Sequence, residues 1–130
     1  MIFVDSNIPM CLVGNHDGQR EAAQRLLERA AVAQRPLATS AEVYQEILHR
    51  YTAIKRPEAI GPAFEALSAL ADRVLPVTLE NVVRAREILL AYPISARDAL
   101  HVAVMEADGI EEIMTFDAGF DGVPMVRRLV

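Results

Sequence analysis

Met1-Ile2-Phe3-Val4-Asp5-Ser6-Asn7 opens the chain, and the reading of this stretch decides the fold. Ile2, Phe3 and Val4 favour an extended backbone, and the run is apolar at every position rather than at alternate ones. A strand of that kind is covered on both faces, as in the middle of a parallel sheet. The run then breaks into an acid, a hydroxyl and an amide, so Asp5 falls where the strand's C-terminal end opens. Ligand crevices of open α/β sheets lie at that edge.

Working outward, Ile8–Val13 reads as a short helix ended by Gly14, and Asp17 to about Ala33 as a helix with Leu26, Leu27, Ala30 and Ala31 on its apolar face. Pro36–Thr39 predicts a strand leading straight into a helix from Ala41 to about Ile54, where Val43, Ile47, Tyr51 and Ile54 recur at helical spacing. Pro57 starts another helix to about Asp72, its first turns made irregular by Gly61-Pro62. Val74–Val77 is a strand that Pro76 places at an edge or near an end. Thr78 caps a helix over Leu79–Ala91, and Ser95 caps one to about Ala107, with Gly109 beyond. Ile113–Thr115 and Pro124–Val126 complete the strands. Strands alternating with helices predict one three-layer α/β domain over residues 1–130, with no internal repeat or low-complexity linker.

Composition narrows the function classes. A chain of 130 residues buries roughly two thirds of its unfolded surface in one core. Hydrophobic residues make up 52% and aromatics 5%, so that core is aliphatic. The single cysteine, Cys11, excludes an intramolecular disulfide, fits a reducing cytoplasm and reads as plain core. No segment approaches the ~18 apolar residues of a membrane span, and Asp5 interrupts any signal-peptide pattern. A net charge of −5 argues against an extended surface that coats nucleic acid, but not against a site that handles it through metal ions.

Direction matters more than the number of elements. The helix from Ala41 follows its strand immediately and so begins at the sheet's C-terminal edge. The helix from Ala96 precedes the strand at Ile113, runs antiparallel to it, and begins at the same edge. Asp117 leaves that strand there too. Asp5, Glu42, Glu46, Asp98 and Asp117 are therefore brought to one rim by topology.

Two carboxylates about 5 Å apart repel by roughly 3 kcal/mol at an effective dielectric near 20. Several together require protonation or a bound cation, and no lysine lies nearby in sequence. Hard oxygen donors without thiolate suit Mg²⁺ or Mn²⁺, and the chemistry such ions support is phosphodiester hydrolysis by an activated water. Each acid also has a plainer explanation. Thr39-Ser40-Ala41-Glu42 and Ser95-Ala96-Arg97-Asp98 both have the pattern of capping boxes, and for Glu42 the cap is the reading preferred here. Glu46 could lie on a solvated face, Asp117 could cap a loop, and Asp121 before Gly122 reads as a turn residue. His101 reads as a hydrogen-bonded core histidine, and His16 and His49 as surface.

With the acids placed, the sequence resembles the PIN domain family, specifically its VapC-type ribonuclease toxins. The likeness runs from Ile2-Phe-Val-Asp5-Ser-Asn7 through Ala41-Glu-Val-Tyr-Gln-Glu46-Ile-Leu and Ser95-Ala-Arg-Asp98-Ala-Leu-His101-Val-Ala to Thr115-Phe-Asp117-Ala-Gly-Phe120. On that resemblance the family's glutamate maps to Glu46 rather than Glu42. Asp5, Glu46 and Asp98 become metal ligands and Asp117 a weaker participant. Arg50 stands where many relatives have glycine, making the neighbouring groove more basic. Ser6, Asn7, Arg50 and Arg97 are candidate substrate contacts, with Lys55 a further phosphate contact. The resemblance implies an α/β/α sandwich with a parallel sheet of about five strands in the order 3-2-1-4-5. It also implies Mg²⁺- or Mn²⁺-dependent endoribonuclease activity, a homodimer, and a toxin–antitoxin hetero-oligomer formed with a cognate antitoxin.

Rival readings need residues that are missing. A haloacid-dehalogenase-type phosphatase requires a second aspartate where Asn7 stands, and it shares with a receiver domain the need for a late lysine. Lys55 is the only lysine and lies in the wrong half. A degenerate PIN-like module that binds RNA or protein without cutting remains the alternative. A pure dimerisation domain leaves the acidic rim unexplained.

Overall fold

The computed structural model describes residues 1–14 and 17–129. His16, expected at the surface, lies outside the described residues. Five strands form one sheet: β1 (Ile2–Val4), β2 (Leu37–Ser40), β3 (Arg73–Leu75), β4 (Glu112–Met114) and β5 (Arg127–Leu129). Their order is β3-β2-β1-β4-β5, and every pairing is parallel. The expected strand order is observed, with the all-apolar β1 in the centre. Phe3 pairs with Ala38 on one side and Ile113 on the other, and Phe3, Ala38 and Ile113 are all fully buried.

Six helices cover the sheet: α1 (Asn7–Val13), α2 (Asp17–Val32), α3 (Ala41–Ala53), α4 (Ile60–Leu70), α5 (Leu79–Ala91) and α6 (Ala96–Ala107). α1 packs on α2 and α4, α3 on α4, and α5 on α6. Most of the apolar faces predicted from periodicity point inward: Leu26 and Ala30 of α2 and Val43, Ile47 and Tyr51 of α3 are buried, as is Cys11. Leu27 is half-buried, whereas Ala31 and Ile54, the latter past the end of α3, are exposed. None of these helices is long and apolar enough to cross a membrane.

Local chemistry sets the ends. Thr78 caps α5, its Oγ1 accepting from Asn81 N while Asn81 Oδ1 accepts from Thr78 N, a capping box closed by asparagine. The irregular start after Pro57 is a 3₁₀ turn over Pro57–Ala59, and Pro62 then sits in the first turn of α4, where a missing N–H costs little. α4 stops short of the expected Asp72. That residue is held by β2 instead: its N–H donates to Leu37 O at 2.8 Å and its carboxylate accepts from Leu37 N at 2.9 Å. Pro76 lies just past β3, an edge strand whose Arg73 and Val74 are exposed.

Two local expectations are corrected. The last strand is Arg127–Leu129, not Pro124–Val126. Pro124 has no N–H to give a ladder, whereas Arg127 N donates to Glu111 O at 2.7 Å and its guanidinium grips Glu112, starting the pairing there. The capping box expected for Glu42 does not form. Ser40 is the N-cap but makes no side-chain cap, and Thr39 Oγ1 donates to Val4 O instead.

Candidate active site

At the C-terminal edge of the sheet a cleft of about 300 Å³ is lined by Asp5, Asn7, Glu46, Arg50, Ser95, Arg97, Asp98 and Asp117. Asp5 leaves β1 with its N–H donated to Met114 O of β4, so its backbone is fixed to the neighbouring strand. The residue is 3% exposed, and its carboxylate is held on both oxygens. Oδ1 accepts from Ser6 N at 2.7 Å, and Oδ2 accepts from Thr115 Oγ1 at 2.7 Å and from Asn7 Nδ2 at 3.4 Å.

Glu46 comes from α3, one turn inside its N-terminus, and is 5% exposed. Ser6 Oγ donates to its Oε1. On Oε2, His101 Nε2 stands 3.4 Å away and Arg97 Nε 3.6 Å away. Asp98 lies in the first turn of α6. Its backbone N–H is spent on Ser95 Oγ at 3.2 Å, half of the predicted capping box, and its carboxylate is left facing the cleft. Asp117 begins a 3₁₀ turn at Ala118–Gly122 and accepts from Gly119 N at 2.8 Å. Gly119 packs closely against the acids: a Cβ there would lie 3.0 Å from Asp117 Oδ1 and 3.5 Å from Asp98 Oδ2.

The acids strain against one another. Burial, then the charges of Asp117 and Asp5, push the Asp98 carboxyl up to about 6. Burial, only partly offset by His101, also raises Asp5, and Glu46 adds to the rise. Glu46 goes the other way: burial would raise it, but the hydrogen bonds from His101 and Ser6 and the charge of Arg50 outweigh that and lower it. Burial disfavours a charged His101, yet the Glu46 hydrogen bond and the charges of Asp5, Glu46 and Asp98 leave it raised. Among the described residues neither Asp5 nor Asp98 has an arginine partner; Arg97 reaches only Glu46. A carboxylate set that resists its own ionisation, built of hard oxygens on immobilised side chains, fits a divalent cation.

Several sequence-predicted residues meet here and others do not. Asp5, Glu46, Asp98, Asp117, Asn7, Arg50 and Arg97 share the cleft. Ser6 differs from its expected contact with substrate, being 1% exposed with its hydroxyl committed to Glu46. Glu42 and Lys55 do not line the cleft, and Asp121 pairs with Arg128 at 3.0 Å. His49 is exposed, as expected. Sequence reasoning gave no role to Thr115 and placed His101 in the core. Thr115 Oγ1 donates to Asp5 and accepts from Asn7 Nδ2 and Asp117 N, both at 3.0 Å, so it ties three site residues together. Its one available signal was a hydroxyl ending the β4 run at the level of Asp5.

The PIN domain model matches residues 2–125. The chain belongs to the PIN domain family. Within it, Mycobacterium tuberculosis ribonuclease VapC13 is 55% identical over 130 residues, covering 99% of each chain. Ribonuclease VapC23 of the same species is 37% identical over 118 residues, 90% of this chain and 93% of that one. Among solved structures, M. tuberculosis VapC20, a toxin that cleaves the sarcin–ricin loop, aligns with a TM-score of 0.73 at 28% identity over 93% of both chains. The PIN fold extends to Rickettsia felis VapBC2 bound to a fragment of promoter DNA, with a TM-score of 0.74 at 16% identity over 99% of this chain and 98% of that one. By these relatives the chain is a VapC-type member of the PIN family.

Proposed function

We propose that this PIN domain is a metal-dependent endoribonuclease, the toxin of a toxin–antitoxin pair. The observation that carries the reading is the meeting of Asp5, Glu46, Asp98 and Asp117 at one cleft, in a chain 55% identical to a named VapC ribonuclease. Asp5, Glu46 and Asp98 would hold Mg²⁺ or Mn²⁺, and Asp117, more exposed, supports the same charge. Bound there, the ion supplies an activated water and offsets charge gathering on the phosphate oxygens.

The chain's own groups prepare that site. Thr115, Asn7 and the Ser6 N–H hold the Asp5 carboxylate, while Ser6 Oγ holds Glu46. Arg50 and Arg97 line the same cleft and contact phosphates beside the scissile bond. Cleavage by this route leaves a 5′-phosphate and needs no 2′-hydroxyl. Kinship with VapC ribonucleases supports a cognate antitoxin as partner, a homodimer as the working assembly, and a cytoplasmic setting consistent with the free Cys11 thiol. No observation favours a non-cutting module, since all four acids are in place.

Sequencing 5′-phosphate RNA ends after inducing the wild type beside Asp98→Ala tests this reading. New ends confined to the wild type are expected. The same ends in both samples would remove Asp98, and the nuclease assignment with it.

A further inference from the structure

The acid pattern leaves open what His101 does at the base of the cleft. The ring is fully buried between Phe3 and Phe120, with centroid separations of 5.8 and 6.4 Å. Nε2 faces two carboxylates, 3.4 Å from Glu46 Oε2 and 3.9 Å from Asp5 Oδ1. Nδ1 is equally buried and has no hydrogen-bond partner among the described residues.

Two roles compete for Nε2. One atom each from Asp5, Glu46 and His101 lie within 4.8 Å of one another, which suits a shared cation. Ligation through Nε2, however, puts the ring proton on Nδ1. Metal-bound histidines ordinarily donate that other N–H to a carboxylate or carbonyl. Here it would be buried with no acceptor among the described residues, and orphaned buried N–H groups are rarer than under-used acceptors. With the proton on Nε2 instead, the donor meets a carboxylate and only a lone pair goes unused.

The geometry points to His101 as a positioning residue for Glu46, donating Nε2–H to Oε2 while Ser6 Oγ donates to Oε1, and not as a metal ligand. The two donors act on opposite oxygens and fix the carboxylate's plane. The cation is then left with oxygen donors alone, so Mg²⁺ is accepted as readily as Mn²⁺. The metal half of this inference rests on the nuclease reading above; the proton's place on the ring does not.

Long-range ¹H–¹⁵N NMR of the chain labelled with ¹⁵N-histidine decides it, because only His16, His49 and His101 contribute and His101→Gln assigns the third signal. At a pH high enough to leave the ring neutral, the Nε2–H tautomer is expected both in the metal-free chain and at saturating Mg²⁺, with no ¹¹³Cd–¹⁵N coupling when ¹¹³Cd²⁺ is used as the probe. A neutral ring with its proton on Nδ1, or such a coupling, overturns the proposal. Calorimetry with Mg²⁺ adds a second readout. His101→Gln keeps an N–H donor near Nε2 and should bind within about threefold of wild type, while His101→Leu, similar in bulk, should lose about tenfold or more. Equal losses in the two variants mark a ligand, and wild-type affinity in both marks plain packing; either result overturns the proposal. Should His101→Leu fail to fold, the wild-type spectra decide alone. A wild type that binds no divalent ion and cuts no RNA removes the nuclease reading, and the metal-free spectrum still settles the donor.

Discussion

The two ends of the sheet treat buried charge in opposite ways. At the N-terminal edge, Glu112 at the start of β4 sits between Arg35 and Arg127, and their hydrogen bonds hold its carboxyl below the usual range. At the C-terminal edge, burial and the Glu46 charge push Asp5 up, burial and the charges of Asp117 and Asp5 push Asp98 up, and among the described residues no arginine pairs with either. The difference separates an acid that staples strands together through two arginines from Asp5 and Asp98, which have no arginine partner among the described residues and leave negative charge for a cation to offset.

Removing an acid at the upper edge should therefore cost activity and spare the fold. Asp98→Asn is expected to reduce RNA cleavage by on the order of 10²- to 10³-fold. The metal-free variant should melt a few degrees higher, since relief of a half-exposed, partly screened repulsion contributes about 1 kcal/mol. Cleavage kinetics beside a thermal melt check both halves, and a variant that is inactive because it is unfolded contradicts the comparison. Thr115→Val deletes the hydroxyl that ties Asp5, Asn7 and Asp117 together. It should lower metal affinity about tenfold, read by calorimetry. Glu112→Gln, at the lower edge, should cost about 1 kcal/mol of stability in a denaturant melt and leave cleavage by the folded protein unchanged.

The smallest effect is in pH, where the two edges have opposite signs. The Asp98 carboxyl titrates near 6 in the folded chain against an ordinary value of 3.8, so between those limits the folded state holds the extra proton. Stability from this group is greatest below about pH 4 and falls as pH rises through 6. Glu112 is lowered from 4.5, so its contribution is present above that value and disappears as pH falls further. Melts of metal-free Asp98→Asn and Glu112→Gln from pH 3 to 7 should lose these slopes separately; matching profiles would erase the distinction between the edges.

Much of this arrangement was legible in one dimension, for a physical reason. A strand apolar at every position can only be central, and a strand running straight into a helix fixes which edge both reach, so the acids at those junctions could be placed before any coordinates. The edge strands were harder. β5 carries Arg127-Arg128, whose charged ends pair with Glu112 and Asp121 while the backbone extends the sheet, and hydrophobic pattern cannot register such a strand. Thr115 and His101 were missed as site residues because each lies in an apolar run. Whether a buried polar atom faces a cleft depends on partners up to 110 positions away, which periodicity does not encode. The failed capping box at Glu42 has a similar origin: Thr39 was drawn off by Val4 of the adjoining strand.

The central claim is that the upper edge is built around a divalent cation, and calorimetric titration of Mn²⁺ into wild type, Asp98→Asn and Glu112→Gln tests it most directly. Wild type and Glu112→Gln should bind alike, and Asp98→Asn should bind at least about tenfold more weakly. No binding by the wild type, or equal binding by all three, would contradict the account.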